Sequence, residues 1–364
     1  MKKSLVGTGG PAPCSEGLPN RRALAEKTRI NRKYTTMKKT FNSSILFLFF
    51  ISAVFVQCGG CNKDSGLENP DPTPEPEEVF DLRVSDMHIR DPFILVDREN
   101  QAYYMHVNGN KKVRVYKSKD LAMWKDMGIA FAPGGDFWGK SDFWAPDVYS
   151  YQNKYYLFIT LSAPNIKRGT SILVADKPEG PFAPLVNSAV TPSEWMSLDG
   201  ALYVDKDKTP WIIYCHEWLE VGDGKVVAQQ LKEDLTETVG KPKVLFNASE
   251  APWVGDISSG NTTGKVTDAP FIHTLDNGQL IMLWSSFRKD GKYAIGQATS
   301  KSGKLSGPWI QEKEPLNNDD GGHAMLFNDI KGRLMISYHA PNSNTERPII
   351  KQVYINDGKV VIPE

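Results

Sequence analysis

His88-Ile89-Arg90-Asp91-Pro92-Phe93-Ile94-Leu95-Val96-Asp97, followed after a polar turn by Tyr103-Tyr104-Met105, decides the reading of this chain. A carboxylate stands just before an apolar run, the run ends in a turn, and a second, aromatic run follows. That is how a β-hairpin presents an acid at its lip. The module recurs. Asp199-Gly200-Ala201-Leu202-Tyr203-Val204-Asp205 leads through 206–209 into Trp211-Ile212-Ile213-Tyr214. Pro146-Asp147 opens a pair over 147–151 and 155–158, Asp268-Ala269-Pro270-Phe271 one continuing at 280–284, and His323-Ala324-Met325 one continuing at 334–338. Each hairpin is followed by another apolar strand and a small turn phrase, such as Gly180-Pro181-Phe182 or Gly307-Pro308-Trp309. Five units of about four short strands, each spanning roughly 50 to 70 residues, predict an all-β fold: a five-bladed β-propeller with four-stranded blades around a central channel.

The segments ahead of the repeats read differently. Residues 1–36 are basic and lack apolar periodicity, as expected of an over-extended start or a leader, and are set aside from fold reasoning. Met37-Lys38-Lys39 and the apolar run over 45–56 have the charged head and short core of a secretory signal. The run ends at Gln57-Cys58-Gly59-Gly60-Cys61, which resembles a bacterial lipoprotein processing site with Cys58 as the acylated residue, so 37–58 is expected to be a lipoprotein-type signal. Residues 59–79 hold the acidic, proline-rich stretch 69–78, an extended tether. The expectation is a propeller domain over 80–364, exported and held by lipid at the outer membrane or surface of a bacterium, with no other membrane contact.

Composition narrows the partners. Lys and Arg number 43 and so do Asp and Glu, which gives no electrostatic case for nucleic acid. Of the four cysteines, Cys14, Cys58 and Cys61 precede the domain, so Cys215 is alone within it and is expected to be buried packing.

In a propeller the lead-ins to the innermost strands surround the channel mouth. The repeat therefore places Asp91, Asp199 and Asp268 at equivalent lip positions, with His323 in the fifth unit and Asp147 nearby. Several carboxylates converging on one cavity are costly unless they bind something or share protons.

Arg90-Asp91-Pro92-Phe93-Ile94, Trp144-Ala145-Pro146-Asp147-Val148, Leu198-Asp199-Gly200 and Gly321-Gly322-His323-Ala324-Met325, in this order across 80–364, resemble glycoside hydrolase family 43. The resemblance implies an inverting hydrolase of arabinose, xylose or galactofuranose linkages in oligo- or polysaccharides. It implies Asp91 as the general base and Asp199 as the aspartate that raises the pKa of the general acid. Where the family carries Glu-Gly-Pro as its acid motif, this chain has Asp268-Ala269-Pro270. Three candidates for the acid follow: Glu250, which has the longer side chain and an x-Pro setting and is preferred, then Asp268, then Glu217. Arg90, Trp144 and Asp147 are expected at the substrate wall, with Trp218 and Trp253 among the aromatics whose faces could stack on sugars. No cofactor is required on this reading. The family's channel calcium would place His323 beside the ion, through water, because calcium prefers oxygen. The competing reading is a sugar-binding propeller that has lost its acid; a protein-interaction scaffold is a further alternative.

Overall fold

The computed structural model describes residues 78–363, and the expectations for the leader, Cys58 and most of the tether lie outside them. Five antiparallel sheets follow one another along the chain. Blade I contains Phe93–Asp97, Ala102–Asn108, Val113–Ser118 and Met123–Phe131, and Leu82–Arg83 adds a fifth strand at its outer edge. Blade II contains Ser141–Tyr151, Lys154–Ala163, Ile166–Ala175 and Ala183–Pro184; blade III contains Ser197–Val204, Pro210–His216, Lys225–Leu231 and Thr238–Asn247. Blade IV contains Asp268–Thr274, Leu280–Phe287, Tyr293–Ser300 and Ile310–Gln311, and blade V contains Gly322–Asn328, Leu334–Ala340 and Arg347–Gln352. The expected four-stranded pattern thus holds for blades II to IV, while blade I has five strands and blade V three. After Arg347–Gln352 the chain forms a separate two-stranded ribbon, Tyr354–Asn356 with Lys359–Val361.

The first strand of each blade touches the first strand of the next, from I through V and back to I, so these five strands enclose the channel. Second strands are covered on both faces by neighbouring blades and read as continuous apolar runs. Leu280–Phe287 is buried along all but its last residue. Blades V and I share no strand. Their seam is closed by packing of Phe93, Ile94 and Met105 against Met325, Phe327 and Met335, and by hydrogen bonds from Ser337 Oγ to the Pro92 carbonyl (2.9 Å) and from Arg98 to the Asn328 and Asp329 carbonyls. Outer aromatics anchor the blades. Trp124 and Trp309 are buried, and each donates its indole N–H to a backbone carbonyl, that of Leu121 and Leu305 respectively.

One backbone device recurs at the start of every first strand. Asp91, Ala145, Asp199, Ala269 and His323 all have φ between 47° and 59°, a left-handed conformation that costs a non-glycine residue energy. In blades II to V the ladder is interrupted there by a bulge, between Trp144 and Asp147, Leu198 and Ala201, Asp268 and Phe271, and Gly322 and Met325. A bulge of this kind bends the strand and re-aims one side chain, here at the channel mouth. It also fixes the register among blades. Ala269, and not Asp268, is the counterpart of Asp91, Asp199 and His323, which corrects the equivalence expected from sequence. Asp268 sits one residue earlier, in the place of Arg90 and Trp144.

Candidate active site

Asp91, Asp199 and His323 occupy three of the five left-handed positions, and their side chains meet. His323 Nδ1 lies 3.2 Å from Asp91 Oδ1 and 3.9 Å from Asp199 Oδ2. His339 Nδ1 approaches Asp91 Oδ1 at 3.2 Å from the second strand of blade V, and Arg90 Nε stands at 3.8 Å. Burial opposes ionisation of Asp91, but the charges of His323, His339 and Arg90 outweigh it and hold the carboxyl well below the usual carboxylate range. His323 is also buried, yet the surrounding Asp91, Asp199, Asp147 and Asp268 favour its protonated form and raise its pKa.

Asp199 is fixed from two neighbouring blades; burial raises its carboxyl, and the charges of His323 and Arg168 counteract the rise. Its backbone N–H donates to Thr160 Oγ1 of blade II (2.8 Å), and its Oδ2 accepts the Ala269 N–H of blade IV (3.0 Å). Gly200 follows because a Cβ there would stand 2.6 Å from Thr170 Oγ1, while its own N–H donates to that oxygen. Likewise a Cβ on Gly322 would meet the Tyr293 ring at 2.1 Å, so only glycine lets the chain reach His323 beside that ring.

Asp268 sits beside this group in a different setting. Its Oδ2 accepts the Tyr293 hydroxyl (2.9 Å), and among the described residues no cation forms an ion pair with it. Burial first, then the charges of Asp199 and Glu217, push its carboxyl well above the usual range. Glu217, at the mouth end of the second strand of blade III, is buried and also raised, though its 2.5 Å pair with Arg168 counteracts the burial. Asp147 faces the channel below the mouth, two residues past its bulge. Tyr149 donates to its Oδ2 while Oδ1 is buried without a partner, and burial raises the group to about 7.

Three expected residues are placed elsewhere. Glu250 closes a capping box on Ala248–Glu250, accepting the Asn247 N–H at 2.9 Å, and makes no hydrogen bond or ion pair to the carboxylate group. Trp253 is 6% exposed and packs on Trp284 with ring centroids 5.5 Å apart; Trp218, also 6% exposed, packs its ring over Gly264. Both tryptophans are core: Trp253, from the loop after Ala248–Glu250, and Trp218, from the short helix Trp218–Val221, turn inward and leave no face for a sugar. Trp144, by contrast, is 38% exposed. Arg90 is exposed and spans to Asn342 Oδ1 at 2.7 Å.

Among the described residues no group of three or more His, Cys, Asp or Glu side chains is arranged to hold a metal. His323 Nδ1 is engaged by Asp91, and one buried carboxylate oxygen, Asp147 Oδ1, lacks a partner in the channel. Calcium takes six to eight oxygens, roughly, so these side chains do not form a protein cage for it.

Two carboxyls held at one mouth in opposite environments are what hydrolysis of a glycosidic bond requires. Residues 83–360 match the sequence profile of glycosyl hydrolases family 43, and the chain belongs to that family. It is 64% identical to a solved endo-arabinase from Bacteroides thetaiotaomicron, with a TM-score of 0.77 over 78% of this chain and all of that one. It is 24% identical over 269 residues to an extracellular endo-α-(1→5)-L-arabinanase of Bacillus subtilis (68% of this chain, 75% of the relative). With an extracellular exo-α-(1→5)-L-arabinofuranosidase of Cellvibrio japonicus it shares 21% over 255 residues (65% and 71%). The protein is a glycoside hydrolase.

Proposed function

We propose that this enzyme hydrolyses α-1,5-linked arabinofuranosyl chains with inversion, using Asp91 as general base, Asp268 as general acid and Asp199 as the charge that keeps Asp268 protonated. The observation that carries this reading is the opposite treatment of two neighbouring carboxyls. Asp91 is surrounded by His323, His339 and Arg90, whereas Asp268 receives only a phenol and faces Asp199. Environments that push two carboxyls apart separate the base from the acid.

In the reaction, Asp91 takes a proton from water as the water oxygen attacks the anomeric carbon. The glycosidic C–O bond breaks, and the Asp268 proton passes to the departing oxygen, so one water is consumed per bond. Arabinose is favoured over the other sugars by the endo-arabinase likeness at 64% identity. Extracellular relatives support export, and the lipid anchor at Cys58 is a reading of the sequence alone. Cys58→Ala should release the protein from the membrane fraction if that reading holds. The substrate assignment is tested by incubation with linear α-1,5-arabinan, xylan and a galactofuranan. Release of arabinose or arabino-oligosaccharides is expected, and cleavage of xylan or galactofuranan alone would overturn it.

A further inference from the structure

Arg168 stands on the third strand of blade II, at the edge of the mouth, and has no role in the acid–base scheme. Its guanidinium carbon lies 4.4 Å from the centroid of the Trp144 ring. Its Nε donates to Asp142 Oδ2 at 3.3 Å, and its Nη1 to Glu217 Oε2 of blade III at 2.5 Å. Asp142 is itself held, accepting the Ser162 hydroxyl at 2.6 Å. The neighbouring Lys167 bridges the same two blades through Glu220, which also accepts the Met196 N–H at 2.7 Å. A planar guanidinium with two carboxylate partners cannot rotate freely, and a ring stacked on it is fixed in plane.

Trp144, at 38%, is the one exposed tryptophan among the described residues. It sits in the residue position that Asp268 occupies in blade IV, directly before the bulge. Arg168 covers one side of the indole. A flat apolar face at the mouth of a glycosidase is suited to the ring of a sugar. We propose that Arg168 is a positioning residue for substrate: clamped by Asp142 and Glu217, it backs Trp144 and holds the indole as a rigid platform for a furanose ring flanking the scissile bond. Glu217 is then part of the clamp and not the proton donor. This inference rests on the hydrolase reading above.

A merely structural arginine would change stability without splitting the kinetic constants, so the test is a double-mutant cycle read in KM and kcat on an arabino-oligosaccharide. Arg168→Ala and Trp144→Ala should each raise KM about ten-fold, the scale of one stacking contact, with kcat within about three-fold. The double variant should be no worse than Trp144→Ala alone, because the arginine acts through the ring. Arg168→Lys, which keeps charge but loses the fork, should not restore KM. Additive effects of the two substitutions, or a fall in kcat with KM unchanged, would overturn the proposal. Glu217→Gln separates it from the alternative donor: equal loss on an activated nitrophenyl arabinofuranoside and on the oligosaccharide supports the clamp, and selective loss on the oligosaccharide overturns it. Failure of the hydrolase reading itself would look different, with no arabinan cleavage by the unsubstituted enzyme.

Discussion

Asp91 and His323 lie 3.2 Å apart across the seam at which the first and last blades meet. Each occupies the left-handed backbone position that recurs from blade to blade, so the contact depends on closure of the ring and on that conformation at both residues. It makes the ionised state of Asp91 a property of the folded propeller.

Asp91→Asn should lower kcat by a factor of roughly 10² to 10⁴ while KM stays within a few-fold, since it removes the water-activating group but keeps its shape. Steady-state kinetics on arabino-oligosaccharides check this. Because the folded pKa of Asp91 is depressed, its contribution to stability is present above the unfolded carboxyl value and is lost as pH falls through the folded one. Removing His323 as His323→Ala should shift that loss toward higher pH, as read from thermal unfolding across an acid series.

Asp268→Asn should spare an activated nitrophenyl arabinofuranoside and lower turnover of the natural linkage by orders of magnitude, since the poorer leaving group needs a full proton. Asp199→Asn should act on the same limb indirectly. The Asp199 charge raises Asp268, so its removal lowers the Asp268 pKa and moves the alkaline limb of the pH–rate profile to lower pH. An unchanged limb in Asp199→Asn would remove it from the acid's surroundings.

Asp147 gives a stability test of opposite sign to Asp91. The folded protein keeps its proton up to about 7, whereas a free aspartate loses it near 3.8. Folding therefore takes up a proton in that window, and stability falls as pH rises through it. Asp147→Asn should melt close to the wild type near the bottom of the window and above it at pH 8, by an amount on the order of a few kcal/mol at most. Equal melting shifts at both ends would contradict the assignment.

Glu250→Ala should cost about 0.5 to 2 kcal/mol as a lost cap and leave kcat and KM unchanged. Trp253→Ala should cost about 3 to 5 kcal/mol without raising KM in the folded fraction. Chemical denaturation alongside kinetics separates both from Trp144→Ala.

The fold was legible because each blade repeats one hairpin, and because Asp91-Pro92, Asp199-Gly200 and Gly322-His323 mark the same turn with residues that tolerate or require it. The mouth was legible only in part. Asp268-Ala269-Pro270 aligns by its carboxylate in the sequence, but the proline and the positive φ of Ala269 set the register, which puts Asp268 one residue earlier. Glu250 had the right side chain in the right loop, yet the preceding Asn247 makes a capping box with it, a local bond that wins over a distant site. Trp218 and Trp253 could not be told from sugar platforms by type, since their burial depends on how the short helix Trp218–Val221 and an irregular loop fold back. Arg168 and His339 were missed. Both sit within strands that read as ordinary blade, and their partners lie in other blades, beyond any local pattern.

Proton NMR of the reaction in progress tests whether hydrolysis is a single displacement at the anomeric carbon with Asp91 activating water. The sugar released first from an α-linked arabino-oligosaccharide should carry the β configuration at its new reducing end, before mutarotation mixes the anomers. Initial appearance of the α anomer would mean retention and would contradict the account.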